Sequence, residues 1–192
     1  MPPKLKYSKE LIEQTAKALV ERDGIECLSH RSIAKELGCS TQPIMSNFST
    51  MDDVRLAVRK LADQEISEHV QKGMAEHKYP MDGAIFAYIE YASMHPNLFL
   101  FLVLDGRNQA HGPLLLTKLD SKPLIGDLAT STNLNAEGLR RLYTHCWFFA
   151  QGIATTIATG VNQMSMEEIE QYVFTSAQGT AAKLREQGYR AQ

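Results

Sequence analysis

The chain has 192 residues, 44% of them hydrophobic, and a net charge of −2, which excludes both a disordered chain and a polycation. Its length allows one domain or two. The longest apolar run, Leu98 to Leu104, is too short to span a bilayer, and the basic start at residues 1–6 leads into no apolar run typical of a signal peptide. Three cysteines without metal-ligand spacing fit a reducing compartment. We therefore expect a cytoplasmic protein that has no membrane segment, metal site or cofactor.

The charge is distributed unevenly along the chain. Residues 1–60 hold ten Lys and Arg against eight Asp and Glu, a net +2, whereas residues 61–192 hold ten against fourteen, a net −4. The sign favours DNA contact at the N-terminal end. Because the difference is small, any affinity for DNA must come from the local placement of basic side chains.

The first predicted element is an amphipathic helix over residues 8–23. Apolar residues recur there at three- and four-residue spacing, which is the periodicity of one helical face. The predicted inward face consists of Leu11, Ile12, Ala16, Leu19 and Val20.

Two short helices around a glycine turn are predicted next. Ser29 is a suitable N-cap for the first, because its hydroxyl can accept one of the backbone N–H groups left unpaired at a helix start. Ile33, Ala34 and Leu37 then share one helical face. Gly38 follows, and glycine favours the left-handed conformation in which many helices end.

The second helix of the pair is predicted to have Ser40 as its cap. Pro43 is tolerated in its first turn, where a backbone donor is not needed, and Ile44 and Phe48 face inward. Two short helices of this kind form a helix-turn-helix, whose second helix enters the major groove of DNA. A structural helical hairpin is the alternative, because short helix pairs around glycine are common in all-α proteins.

A longer helix is predicted from residue 51 into the 70s. Its basic residues, Arg59 among them, are expected to face solvent. We expect Gly73 to weaken its last part and Pro80 to end the region. The predicted inward residues are Val54, Val58, Leu61, Ile66 and Val70.

Every plausible segment after residue 81 is helical. The predicted helices cover about 82–95, 96–104, 114–119, 123–129, 136–160 and 165–187, with a loop at 106–112. Asn135 is a suitable cap for the helix from 136, and Ser165 opens a capping box with Glu168. Small residues recur along the last two helices and permit close packing. The residues predicted to line one side of each of those helices are Leu139, Leu142, Cys146, Ile153, Ile157, Val161, Ile169, Tyr172, Val173, Ser176 and Ala177.

Residues 8–60 resemble the N-terminal domain of the TetR family of transcriptional regulators. The resemblance rests on Ile-Glu-Cys-Leu-Ser-His-Arg-Ser-Ile-Ala-Lys-Glu-Leu-Gly-Cys-Ser, from Ile25 to Ser40, and on Phe48, which closes the second short helix. It implies an all-α protein with an N-terminal three-helix domain containing the helix-turn-helix (1–50) and a C-terminal helical ligand-binding and dimerisation domain (51–192). The last two helices would pair with the same two helices of a second copy in a four-helix bundle.

The resemblance implies a one-component, ligand-responsive regulator of transcription and not an enzyme. Such a protein, usually a repressor, binds a palindromic operator in double-stranded DNA as a homodimer and is released from it by a small-molecule effector. The sequence departs from the family pattern at Met45, where Tyr is usual, and at Met51, where Lys is usual, and each change removes a phosphate contact. A helical small-molecule-binding or interaction protein with weakened operator binding is therefore the second class left open.

The resemblance also indicates which side chains would contact DNA. The second short helix would supply base contacts from Thr41, Gln42, Pro43, Ser46 and Asn47, with Met45 lying among them. Arg31 would contact a base or a phosphate, and Ser40 and Thr50 a phosphate. Gln and Asn amides can bond bidentately to adenine. The alternative for Thr41 and Gln42 is solvated polar surface.

An effector pocket is expected in the C-terminal half, which is rich in aromatic and sulfur-containing residues. The candidate ligand-binding residues are Phe86, Met94, Phe99, Tyr143, Trp147 and Gln151. The stretch from Trp147 to Gly152 resembles a Trp-x-x-x-His-Gly signature of one family branch, with Gln replacing His. Ordinary core packing is the alternative for each candidate. A mainly apolar pocket would favour a hydrophobic molecule or a cation over aromatic faces.

Overall fold

The computed structural model describes residues 7–104 and 131–191. Across these ranges the secondary structure consists of eight α-helices and one short 3-10 helix without a β-strand, so the predicted all-α class is confirmed. The α-helices are α1 (Lys9–Asp23), α2 (His30–Glu36), α3 (Gln42–Asn47), α4 (Met51–Glu76), α5 (Pro80–Met94), α6 (Pro96–Leu104), α7 (Ala136–Ala158) and α8 (Met166–Glu186), and the 3-10 helix is Ile25–Cys27. The segments predicted at 106–112, 114–119 and 123–129 lie outside the described residues. None of the described helices is both long and apolar enough to cross a membrane.

Side-chain caps fix several helix starts, as the sequence predicts. Ser29 Oγ accepts the backbone N–H of Ser32 at 3.0 Å, and Ser165 Oγ accepts that of Glu168 at 3.3 Å. Gly38 follows α2 with a φ of 62°, which is the left-handed conformation that glycine adopts without steric cost. Each of these features depends on residues within one helical turn, and local sequence is therefore enough to predict them.

Pro80 ends the region of α4, as predicted: α4 stops at Glu76, and Pro80 is the first residue of α5, where its fixed φ and missing donor are tolerated. Three local predictions are wrong. Ser40 does not cap α3, because Thr41 holds the N-cap position and makes no side-chain bond to the helix. Leu11 is 43% exposed and not part of the inward face, whereas Arg59 is only 7% exposed and does not face solvent.

Packing divides the described residues into two compact units. The first extends to Glu65 and includes α6 from His95 onward, and the second comprises Ile66–Met94 and residues 131–191. This division does not coincide with the boundary predicted after residue 50. Val58 of α4 and Leu98 of α6 lie in the same hydrophobic core as α1, and both segments therefore belong to the first unit.

The first unit is built around α1. The helices α2, α3 and α6 and the 3-10 helix all pack on it. Hydrogen bonds attach α6 at both ends, because Asn97 Nδ2 donates to the carbonyl oxygen of Glu21 at 2.9 Å and Arg59 Nη2 donates to that of Leu102 at 2.7 Å. The burial of Arg59 follows from this second bond. The core consists of Ile12, Ala16, Leu19, Val20, Leu28, Ile33, Ala34, Ile44, Phe48, Val54, Val58, Ala62, Leu98 and Phe101.

The second unit is centred on α7, which packs against α5 and α8. The last part of α4 crosses α5 at two glycines. A Cβ added at Gly73 would lie 2.5 Å from the Cβ of Ala87 and 2.7 Å from the carbonyl oxygen of Gly83. Gly73 thus permits a close helix crossing inside a continuous α4. Val161, just after the end of α7, and Tyr172 of α8 are 79% and 59% exposed.

Candidate functional site

Helix α3 buries one side and presents the other to solvent. Ile44 and Phe48 are 0% and 3% exposed, which confirms their predicted inward positions and fixes the helix in the core of the first unit. Gln42, Met45 and Ser46 are exposed. The helix therefore offers a small outward surface on a rigid support.

Hydrogen bonds within α3 occupy part of its polar surface. Ser46 Oγ donates to the carbonyl oxygen of Gln42 at 2.9 Å, and Asn47 Nδ2 donates to that of Pro43 at 2.8 Å. The side-chain amide of Gln42 forms no hydrogen bond with a described residue, and neither does the hydroxyl of half-buried Thr41. Gln42 thus keeps its amide donors and its acceptor available for another molecule.

Exposed cations lie on the neighbouring helix α2. Arg31 and Lys35 are four residues apart, so they share one helical face, and both are exposed. Within the described ranges neither side chain is paired with a carboxylate, whereas Arg22 lies 3.2 Å from Glu36 Oε1. The exposed hydroxyl of Ser40 lies in the turn that follows α2. This face carries positive charge that phosphates can neutralise.

The start of α4 is less favourable to phosphate. The backbone N–H and the hydroxyl of Thr50 donate to Asp53 Oδ2 at 2.8 and 2.9 Å, and the N–H of Asp53 donates back to Thr50 Oγ1 at 3.2 Å. Asp52 and Asp53 both lie in the first turn, at the positive end of the helix dipole. The phosphate contact that the resemblance implies for Thr50 would therefore compete with a carboxylate that already occupies the cap.

The second unit contains a cavity of about 370 Å³ between α5, α7 and α8. Asp82, in the first turn of α5, is half-buried there, and desolvation raises the pKa of its carboxyl group. Burial, with the charge of Asp82, raises the pKa of the Cys146 thiol to about 12, so the thiol is protonated and unreactive at neutral pH. Arg185 Nη1 donates to the carbonyl oxygen of Thr132 at 2.9 Å. The lining consists of Tyr79, Met81, Asp82, Ile85, Ser131, Thr132, Leu142, Cys146, Val173, Phe174, Ala177, Gln178, Ala181 and Arg185.

The residues predicted to contact an effector do not line this cavity. Phe99 is fully buried and belongs to the first unit, while Met94 is 50% exposed. Phe86, Tyr143 and Trp147 are buried in the second unit, and burial raises the pKa of Tyr143 to about 12. The structure therefore does not bring the predicted set together at one place.

Gln151 has an internal role in the second unit. The hydroxyl of Tyr88 donates to Gln151 Oε1 at 2.5 Å, and Gln151 Nε2 donates to Thr155 Oγ1 at 2.9 Å. Both ends of the amide are thus engaged by neighbouring side chains. These bonds satisfy a polar group that would otherwise be costly to bury.

The residues that line the cavity were not predicted from the sequence, because the predicted ligand-binding residues were chosen mainly among aromatic side chains. A usable signal was present in α8, where Val173, Ala177 and Ala181 follow one another at four-residue spacing and share a helical face. The two alanines leave volume opposite larger residues of α5 and α7. A second signal was Asp82, a carboxylate that lies within a largely apolar helix.

Comparisons with protein-family models, with curated proteins and with solved structures find no match for this chain. Among the described residues, no group of three or more His, Cys, Asp or Glu side chains is placed to hold a metal ion. The outward surface of α2 and α3 and the cavity of the second unit are therefore the features from which a function can be inferred.

Proposed function

We propose that the protein is a ligand-responsive, DNA-binding regulator of transcription. A homodimer of this chain would bind a palindromic operator through α3 and be released from it when a small molecule occupies the second unit. The observation that carries the proposal is the exposed, uncommitted amide of Gln42 on a helix held in place by Ile44 and Phe48. In the major groove, a glutamine amide presented in this way can donate an N–H to N7 of adenine and accept a hydrogen bond from its N6 amino group.

The charge around α3 supports this proposal. Arg31 and Lys35 lie exposed on one face of α2 and are available to contact phosphates. Contacts to phosphate supply most non-specific affinity, and contacts to base edges add specificity. In this division of roles, the cations of α2 would position the protein and Gln42 would read a base.

A second copy of the chain would complete the binding unit. Phe148 on α7 and Tyr172 on α8 are 63% and 59% exposed, and a Cβ added at Gly152 or Gly179 would meet no atom within 4 Å. An apolar face with small residues is suited to close packing against the same face of another copy. A symmetric pair would present two α3 helices to the two half-sites of a palindrome, about 34 Å or a multiple of it apart.

The second candidate is a helical small-molecule-binding protein with weakened operator binding. Two observations favour it: Met45, 60% exposed, supplies no polar contact on α3, and Asp53 occupies the cap that a phosphate would need. Under this alternative the cavity of the second unit would still bind its ligand. The two candidates therefore differ in DNA affinity alone.

Selection from a random DNA pool, followed by titration at physiological salt, separates the two candidates. We expect a preferred palindromic site, and we expect Gln42→Ala to weaken binding to it by about 1–3 kcal/mol while binding to unrelated DNA changes little. Gln14→Ala, which removes an exposed glutamine from α1, is the matched control. Failure to select any DNA would favour the second candidate. Equal losses on both DNAs would assign Gln42 to backbone positioning.

A further inference from the structure

Asp82 is an unusual group to find in the cavity of the second unit. Its carboxylate is half-buried, and it forms no hydrogen bond and no ion pair with a described residue. Desolvation raises the pKa of the group, and the nearby His77 only partly opposes this. A carboxylate withdrawn from water without a partner costs free energy, which is why such groups are normally paired.

The helix dipole of α5 does not account for this placement. Asp82 lies in the first turn, where a negative charge interacts favourably with the helix start. That interaction is just as available to a solvated carboxylate. Asp82 thus lines the cavity although its interaction with the helix does not require it.

The rest of the lining suits an apolar body with one positive end. Ile85, Leu142 and Phe174 contribute aliphatic and aromatic surface. The other charged side chain, Arg185, already donates to the carbonyl oxygen of Thr132. It also lies in the last turn of α8, where the helix dipole favours a cation. Asp82 is therefore the charged group of the lining for which the described residues provide no hydrogen-bonding partner.

We propose that the cavity between α5, α7 and α8 binds a small organic cation, with Asp82 as its counter-ion and the apolar body packed on Ile85, Leu142 and Phe174. A volume of about 370 Å³ accommodates a molecule of the size of a substituted aryl-alkylamine. If the protein is the regulator proposed above, this cation is its effector. Cation binding by the cavity does not itself depend on the proposed function; only its effect on operator binding does.

Calorimetry of the full chain without DNA tests the cavity directly. The probe is phenylpropyl-trimethylammonium, and 4-phenylbutyrate serves as a probe of similar shape and opposite charge. We expect the cation to bind and the anion not to. Asp82→Asn should weaken cation binding roughly tenfold or more, because it removes the buried counter-charge. Glu170→Gln, which makes the same change of charge at an exposed position of α8, should leave binding unchanged.

A second variant tests whether the cation occupies this space. Ala177→Leu fills part of the cavity without changing its charge and should abolish binding while the circular dichroism spectrum stays that of a folded helical protein. The proposal is overturned if neither probe binds, if the anion binds better than the cation, or if Asp82→Asn binds the cation as well as the wild type does. Operator binding is measured in a separate experiment. If the protein binds the cation but no operator, the regulatory function is contradicted and the cation site is not.

Discussion

Asp82 differs from the other carboxylates whose pKa values are shifted. Hydrogen bonds from Arg140 lower the pKa of Glu137, and the backbone N–H of Ser165 lowers that of Glu168, and both groups are solvent-exposed. The shift of Asp82 has the opposite sign, because desolvation dominates and no donor offsets it. In its ionised form Asp82 therefore opposes folding, whereas ionised Glu137 and Glu168 favour it.

We expect Asp82→Asn to be more stable than the wild type when no ligand is present. The pKa of Asp82 is raised above the ordinary value of 3.8 in the folded chain, so the folded state binds more protons than the unfolded state between these two values. The free energy of unfolding of the wild type thus falls as the pH rises through this window. The Asp82→Asn variant has no titrating group at this position, so its free energy of unfolding does not fall for this reason. The groups that act on Asp82 or share its cavity, His77, Cys146 and Arg185, are unchanged in the variant.

Urea unfolding from about pH 7 down to about pH 4 measures this difference. The advantage of the asparagine variant should be present at the higher pH and shrink toward the lower. Glu170→Gln should show no such trend. A variant less stable than the wild type at pH 7 would mean that Asp82 serves mainly to stabilise the start of α5, and the ligand role would lose its support.

At the scale of helices, the sequence predicts most accurately those features that depend on residues close to one another in the chain. The capping boxes and the glycine after α2 lie within a few residues of the helix ends they fix, so helix bounds are mostly correct within a few residues. The position of Arg59 is different. Its acceptor is the carbonyl oxygen of Leu102, which is 43 residues away in the chain. Periodicity assigns a face to a basic residue but contains no information about such a distant partner.

The candidate sites show the same limit. The inward residues of α3 follow from its own pattern, and the DNA-contact candidates lie mostly on its outward side. The residues that line an effector site could be predicted only by knowing which helices pack against each other. Phe99 belongs to α6, which packs on α1 in the first unit, and no local pattern predicts that pairing. The cavity depends on three helices from distant parts of the chain, and its small residues alone do not reveal what faces them.

The crossing of α4 and α5 provides a prediction at this scale. Gly73→Ala should destabilise the protein by about 1–3 kcal/mol, because the new methyl group would overlap the Cβ of Ala87 and the carbonyl oxygen of Gly83. In an exposed helix the same substitution would stabilise by roughly 0.5–1 kcal/mol. The sign of the change therefore reports whether the two helices are in close contact.

Thermal unfolding monitored by circular dichroism measures the effect of Gly73→Ala. Ser93→Ala, an exposed substitution in α5, is the control and should change the unfolding free energy by no more than about 0.5 kcal/mol. Gly83→Ala should be damaging as well, since that residue faces Gly73 across the same crossing. A gain in stability for Gly73→Ala would show that the helices separate there.

At the scale of the whole molecule, the exposed apolar residues on and beside α7 and α8 are the feature that most strongly indicates an interaction surface. Phe148 of α7 and Tyr172 of α8 are 63% and 59% exposed, and Val161, just after α7, is 79% exposed. Scattered exposed apolar residues are normal, but several on two adjacent helices mark an interaction surface. Self-association is the simplest solution, because closed two-fold pairs are the commonest oligomers.

We expect the protein to be a dimer at micromolar concentration and the variant Phe148→Glu to be a monomer. A stable pair buries about 1,200 Å² or more, and two facing glutamates at its centre would repel each other in a dry environment. Because Phe148 is 63% exposed in the single chain, its replacement should leave the fold of each protomer intact. Leu11→Glu makes the same kind of change at a 43% exposed position of α1 and should remain dimeric. Sedimentation velocity distinguishes the outcomes: a monomeric wild type would remove the basis for palindrome binding, and a dimeric Phe148→Glu would place the interface on another surface.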